Sequence, residues 1–339
     1  MSVQFGLRVP MVGPPQETGA YAARVEAAGF DFMWMPDTPL LAGRWRDVYM
    51  HLTCAALETT KLRLGPGVTN PITRHPVTTA SAAITLDEVS RGRADLTVGT
   101  GYSSAYIIGR KAATLAAMRQ ATQLWHGVFS GARTELGGLE IELDLPRPRL
   151  PVYLAGSGPK ALQLAGEIAD GVIIMVGAAT GCVEWALEQL ETGMARAGRK
   201  RAEVRRILVV SACIDDDRGR AIDTMRPCVA SLCRHRHADL LFARAGLEVP
   251  EIPHGIAAPY PDLGHAINWE EAKQASSYIP DDAVEAMIAL GTGAQVAAQI
   301  RPLIDLDLDA IWWRADASWA RPDALMQALS EDVLPRLRA

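Results

Sequence analysis

Short apolar stretches of strand length alternate with segments of helical periodicity along this chain, and that alternation narrows the choice of fold more than any other feature. A strand buried on both faces reads as a near-continuous apolar run, and the helix covering it carries an apolar stripe. The pattern is therefore that of repeated βα units around a parallel sheet. Residues 3–9, 32–35, 62–69, 94–98, 151–154, 172–176, 207–213 and 310–313 read as strands. Residues 18–28, 47–59, 77–89, 114–129, 159–168, 183–196 and 322–334 read as helices. Together they predict an α/β fold, a (β/α)8 TIM barrel in a single domain over residues 1–339, because barrels of this size commonly form around one core.

Local signals fit that register. His75-Pro76 opens the third helix, where the missing proline N–H costs nothing, and Arg91-Gly92-Arg93 breaks the chain after it. Residues 132–150, with Gly137-Gly138 among alternating residues, read as a small hairpin. Asp215-Asp216-Asp217 lacks the spaced ligands of a calcium loop and reads as a helix start. Trp312 and Trp313 close the last strand, one ring toward the core and the other toward the helix layer. The irregular part is a long insertion between strands seven and eight. Its Pro, Gly and aromatic residues over 236–282, as in Pro259-Tyr260-Pro261, break any long helix. This excursion reads as a lid or an oligomer contact, with Tyr260 and Trp269 covered when substrate binds.

A net charge of −5 supplies no diffuse field for a polyanion, so nucleic acid is not an expected partner. No apolar run is long enough for a membrane span, and Met1 to Pro10 lacks the pattern of a secretory leader. A cytoplasmic protein is expected. Cysteines at 54, 182, 213, 228 and 233 form a sparse, odd set, which suits reduced thiols and no disulfide. Cys228, Cys233, His235 and His237 match no common zinc spacing and read as a helix end, so no metal is expected.

Barrel sites form at the carboxyl ends of the strands. Asp37 and Thr38, Gly67 to Asn70, Gly99 to Tyr102 and Ala155 to Lys160 all fall there, with Trp45 a candidate pocket wall. In Ala155-Gly156-Ser157-Gly158-Pro159-Lys160 bare glycines precede a helix. Backbone N–H groups and the helix dipole can converge there on a phosphate, although a tight turn also calls for glycine. A dinucleotide fingerprint is disfavoured, because the unit lies mid-chain and no acidic residue closes the next strand.

Two long, separated stretches carry a resemblance. They are Leu64-Gly65-Pro66-Gly67-Val68-Thr69-Asn70-Pro71-Ile72-Thr73-Arg74-His75-Pro76, followed by Thr85 to Arg93, and Val152 to Lys160, continuing through Leu164 to Val172. Both resemble the luciferase-like superfamily, and particularly its coenzyme F420 (deazaflavin)-dependent, methylenetetrahydromethanopterin reductase-like branch. The resemblance implies a non-proline cis peptide at Gly67–Val68 that backs the cofactor ring, with Gly67, Val68, Thr69 and Thr100 beside it. It also implies that the tail phosphate lies on Gly156, Ser157, Gly158 and Pro159, with Gly177 alongside. Three positions depart from the pattern. Thr38 stands where the deazaflavin dehydrogenases carry His, Tyr102 where they carry Glu, and Arg8 where methanopterin reductases carry an acid. The acid/base pair for oxidising an alcohol is therefore absent.

The function implied is hydride transfer from reduced F420 to a small unsaturated organic substrate. Asp37, Asn70 and Tyr102 are the candidates to hold that substrate or deliver a proton. Against these stand a loop carboxylate, a turn residue before Pro71 and an aromatic wall. Two other functions are carried: a monooxygenase using reduced FMN and oxygen, fed by a flavin reductase, and a non-catalytic flavin- or ligand-binding barrel. A homodimer or higher homo-oligomer is expected.

Overall fold

A computed structural model describes residues 3–39, 46–136, 138–141, 150–256, 259, 262–316 and 319–339. The strands are β1 (Gln4–Arg8), β2 (Phe32–Met35), β3 (Arg63–Pro66), β4 (Leu96–Val98), β5 (Thr134–Leu136), β6 (Leu139–Ile141), β7 (Val152–Gly156), β8 (Gly171–Ile174), β9 (Arg205–Ile214), β10 (Ala289–Gly291) and β11 (Ala310–Arg314). The helices are α1 (Pro15–Ala27), α2 (Val48–Leu57), α3 (Pro76–Ser90), α4 (Tyr102–Ile107), α5 (Leu115–Phe129), α6 (Pro159–Ile168), α7 (Thr180–Arg196), α8 (Arg218–Cys233), α9 (Ala238–Arg244), α10 (Trp269–Ala275), α11 (Asp281–Met287), α12 (Gly293–Ile304), α13 (Asp323–Ala328) and α14 (Leu334–Arg338). Apart from the β5–β6 hairpin, the strands belong to one sheet, and the fold is a (β/α)8 barrel.

Contacts gather the chain into two compact units. The first comprises Gly13–Ile173 and Gln189–Arg205. There β2 runs parallel to β3 from Phe32↔Arg63 to Met35↔Pro66, and β4 pairs with β7 from Leu96↔Val152. Parallel bridges Leu64↔Ala94 and Thr69↔Val98 join β3 to β4. Below the strands, Trp34 Nε1 donates to Asp95 Oδ2 at 3.1 Å and Arg63 Nε to Asp95 Oδ1 at 3.0 Å, so the buried carboxylate is paired. Helix starts follow their caps: Asp47 accepts from Tyr49 N at 2.9 Å at α2, and His75 Nδ1 from Val77 N at 3.3 Å ahead of Pro76 at α3. The break at Arg91-Gly92 is a left-handed one, with φ of 58° and 84°, a helix ending that glycine accommodates.

The second unit comprises the chain up to Val12, Ile174–Glu188 and Arg206–Ala339. Its strands β1, β11 and β9 lie side by side in register, Leu7↔Trp313 and Trp313↔Val210, and β10 extends the far end of β9 at Ala289↔Ala212. Both tryptophans of β11 are buried. Asp217 caps α8 by accepting from Arg220 N at 3.0 Å, which makes the Asp215–Asp217 run a helix start.

One expectation shifts, and short elements are added. The third strand stops at Pro66 rather than running to 69, because the chain turns at Gly67–Val68. The excursion at 236–282 holds the short helices α9 and α10, because its breakers leave two stretches free, one ending ahead of Gly246 and one between Gly264 and Pro280. The strand β10 was not foreseen, since three residues are too few to show a period. The hairpin strands form within 132–150, whereas Gly137, residues 142–149, Trp45 and Tyr260 lie outside the described residues.

Candidate active site

At the carboxyl ends of β2 and β3, the loops of the first unit converge on Asp37, which is 1% exposed. Its Oδ2 accepts the Thr69 hydroxyl at 2.7 Å and Arg74 Nε at 3.0 Å, and among the described residues nothing bonds Oδ1. Arg74 also pairs with Asp47 and lies 5.1 Å from the Tyr49 ring centroid. Burial opposes the Arg74 charge, yet Asp37 and Asp47 raise its pKa above the ordinary value. Burial acts to raise Asp47 in turn, and Arg74 holds it below the usual carboxylate range. Burial, reinforced by the Asp37 charge, pushes the Tyr49 phenol up.

The Gly67–Val68 peptide is cis, as the resemblance implied. Gly99 makes room for it: a Cβ there would meet Val68 Cγ2 at 2.8 Å. Buried Thr97 donates its hydroxyl to the Pro66 carbonyl, and Thr69 N donates to Thr97 O at 2.9 Å, which fixes the loop on β4.

Asn70 is a turn residue. Its Oδ1 accepts from Ile72 N at 3.0 Å and Thr73 N at 2.9 Å, and Nδ2 donates to Ser104 Oγ at 2.9 Å, so the amide ties the loop after β3 to α4. Gly101 abuts it at φ 77°, where a Cβ would lie 2.6 Å from Asn70 Cγ. Thr100 is half-buried, its carbonyl accepting Ala113 N at 2.8 Å. Tyr102 begins α4 and is 81% exposed. The structure thus joins Asp37 to Thr69, commits Asn70 to backbone, and leaves the Tyr102 ring in solvent.

The glycine turn closes β7. Gly158 is the N-cap of α6 and Pro159 its first residue, and no side chain caps the helix. An uncapped helix start presents N–H donors and a positive dipole end to an anion. Gly156 permits the tight approach, since a Cβ there would lie 3.2 Å from Ala161 Cβ. In the other unit Gly177, at φ 83°, follows β8 and packs on Met287, whose carbonyl accepts Ala178 N at 2.9 Å. Sequence reasoning missed Arg74. The available signal was a lone cation inside the Asn70-to-Pro76 stretch, with two carboxylates due nearby.

The family model for luciferase-like monooxygenases matches residues 2–309. The chain belongs to that family. This luciferase-like chain is 29% identical to the 5,10-methylenetetrahydromethanopterin reductase of Archaeoglobus fulgidus, across 99% of its own length and 100% of the relative's. It is 28% identical to the F420-dependent glucose-6-phosphate dehydrogenase of Nakamurella multipartita, across 96% and 93%. Among solved structures, the coenzyme F420 dependent tetrahydromethanopterin reductase from Methanopyrus kandleri superposes with a TM-score of 0.79 at 25% identity, covering 99% of this chain and 100% of that one. These relatives are oxidoreductases. Among the described residues no helix is long and apolar enough to cross a membrane.

Proposed function

We propose that this chain is a cytoplasmic, homo-oligomeric oxidoreductase that passes hydride from reduced coenzyme F420 to a small unsaturated organic substrate. The observation that carries the reading is the Gly156–Pro159 turn, a helix start with no side-chain cap, in a chain whose full-length relatives are F420-dependent enzymes. The residues fit a phosphate-tailed cofactor without a basic pocket: Gly156, Ser157, Gly158 and Pro159 would hold the phosphate, and Gly177 is proposed for the tail on the resemblance alone. Gly67, Val68 and Thr69 would back the ring, with Thr100 next to them. When bound, the reduced deazaflavin supplies the hydride, and the protein supplies position. Asp37 orients substrate through the open Oδ1 while Thr69 and Arg74 fix the carboxylate, Asn70 positions the loop, and Tyr102 borders the opening.

The family description names a monooxygenase, which favours one second reading; for that reading we propose reduced FMN and oxygen, with a flavin reductase as partner. Anaerobic fluorescence titration with F420 and with FMN separates the two. Wild type should bind F420 more tightly than FMN, and Gly158→Asp, which sets a carboxylate at the helix start, should weaken F420 binding about tenfold or more. Preference for FMN, or F420 affinity unchanged in Gly158→Asp, would overturn the proposal, and absence of turnover with any reducible acceptor would make the chain a binding barrel.

A further inference from the structure

The last residues of β1 and β11 are Arg8 and Arg314. Leu7 pairs with Trp313, so the two arginines are the next registered neighbours on parallel strands. Side chains alternate across a strand. Arg338 of α14 lies 5.4 Å from the Phe5 ring centroid, which puts Phe5 and Leu7 on the helix-facing side of the sheet. Arg8 and Arg314 therefore project from the opposite, inner face, at the carboxyl end where barrel substrates bind.

Among the described residues neither guanidinium meets a carboxylate: the Arg8 side chain has no hydrogen bond or ion pair, and the Arg314 side chain makes one bond, Nη2 to the Gly264 carbonyl at 3.1 Å, with its buried Nε left without an acceptor. Nearby acids are directed elsewhere: Asp262 pairs with His265 at 2.9 Å, and Asp316 lies within electrostatic reach of Cys213 and Cys228 without bonding either arginine. Burial, and then the neighbouring charge of Arg314, bring Arg8 down to about 9. Two half-buried cations on neighbouring strands repel each other, and an anion between them would relieve that repulsion. Their planar forks match a carboxylate or phosphate.

We propose that Arg8 and Arg314 form an anion site, and that the acceptor substrate carries a carboxylate or phosphate seated there. Calling the anion a substrate rests on the hydride-transfer reading; the anion site does not. Gly264 and His265 lie beside the site, because the Gly264 carbonyl takes one Arg314 donor and His265 O accepts Trp319 Nε1 at 2.7 Å.

The test is calorimetric titration of the F420-saturated protein, whose own phosphate turn is then filled, with inorganic phosphate, with succinate and with neutral glycerol. Saturable binding of phosphate or succinate but not glycerol is expected, weakened about tenfold or more in Arg8→Gln. F420 affinity should not change. Whichever of the two anions binds names the substrate group. Arg8→Lys and Arg314→Lys, which keep the charge and lose the fork, should also weaken binding and stand in if Arg8→Gln fails to fold. No saturable anion binding by wild type, or equal binding by wild type and the folded variants, would overturn the site. Arg8-dependent anion binding in a protein that does not bind F420 would sustain the site and remove the cofactor reading.

Discussion

Glu26, on α1, fixes the start of the third strand from outside the sheet. Its carboxylate accepts the backbone N–H groups of Lys61 at 2.6 Å, Leu62 at 2.7 Å and Thr60 at 2.9 Å. Burial acts to raise the carboxyl, and these donors overcome it, so it titrates below its ordinary 4.5. A folded pKa below the unfolded one gives stability that is complete above the unfolded value and lost as pH falls through the folded value. Discounted for solvent screening, Glu26→Gln should cost about 1 kcal/mol near neutral pH. Urea unfolding across pH should show that difference shrink below pH 4.5. A difference as large at pH 3 as at pH 7 would mean that Glu26 acts by packing and not by charge.

At the scale of elements, Arg93 does for the loop before β4 what a cap does for a helix. Its guanidinium donates to the carbonyls of Ala56 at 2.9 Å, Thr59 at 2.9 Å and Leu62 at 2.6 Å, and its Nε to Ser90 O at 2.7 Å. Carbonyls at the end of α2 have no helical partner and need such a donor. Arg93→Ala should therefore lower stability by about 2–4 kcal/mol, and Arg93→Lys, with no fork, should recover only part in the same unfolding experiment. The Arg91-Gly92-Arg93 break was legible in the sequence as punctuation, and the role of Arg93 was not, because its partners lie up to 37 residues away. The same limit hid the Asp37–Arg74 pair and the Arg8–Arg314 pair, whose members meet only through strand order. Helices opened by Pro76 and Pro159 were readable because proline and its cap are local. Helix α4 was not, since its six residues show no amphipathic period.

For the molecule as a whole, βα alternation favoured a barrel over an open sheet without fixing closure, because each strand shows only a buried run and the strands that meet to close the ring are far apart in the chain. Activity is specified more weakly, since a handful of polar groups on loops decides it. Of the three expected there, Asp37 is held with one oxygen open, Asn70 is spent on its turn, and Tyr102 stands in solvent. That arrangement bears on which direction of chemistry the protein supports. Taking hydride from a carbinol requires a base for the hydroxyl proton, and a positioned base is worth a factor of about 10² to 10⁴. The positions where a histidine and a glutamate would do this hold Thr38 and Tyr102, and among the described residues no histidine bonds Asp37. Incubating the protein with oxidised F420 and a panel of secondary alcohols and sugar phosphates should therefore leave the cofactor absorbance unbleached, while reduced F420 is consumed by an unsaturated acceptor. Rapid bleaching that disappears in Asp37→Asn would show instead that the open Oδ1 takes the proton, and would make the protein a dehydrogenase with its base at Asp37.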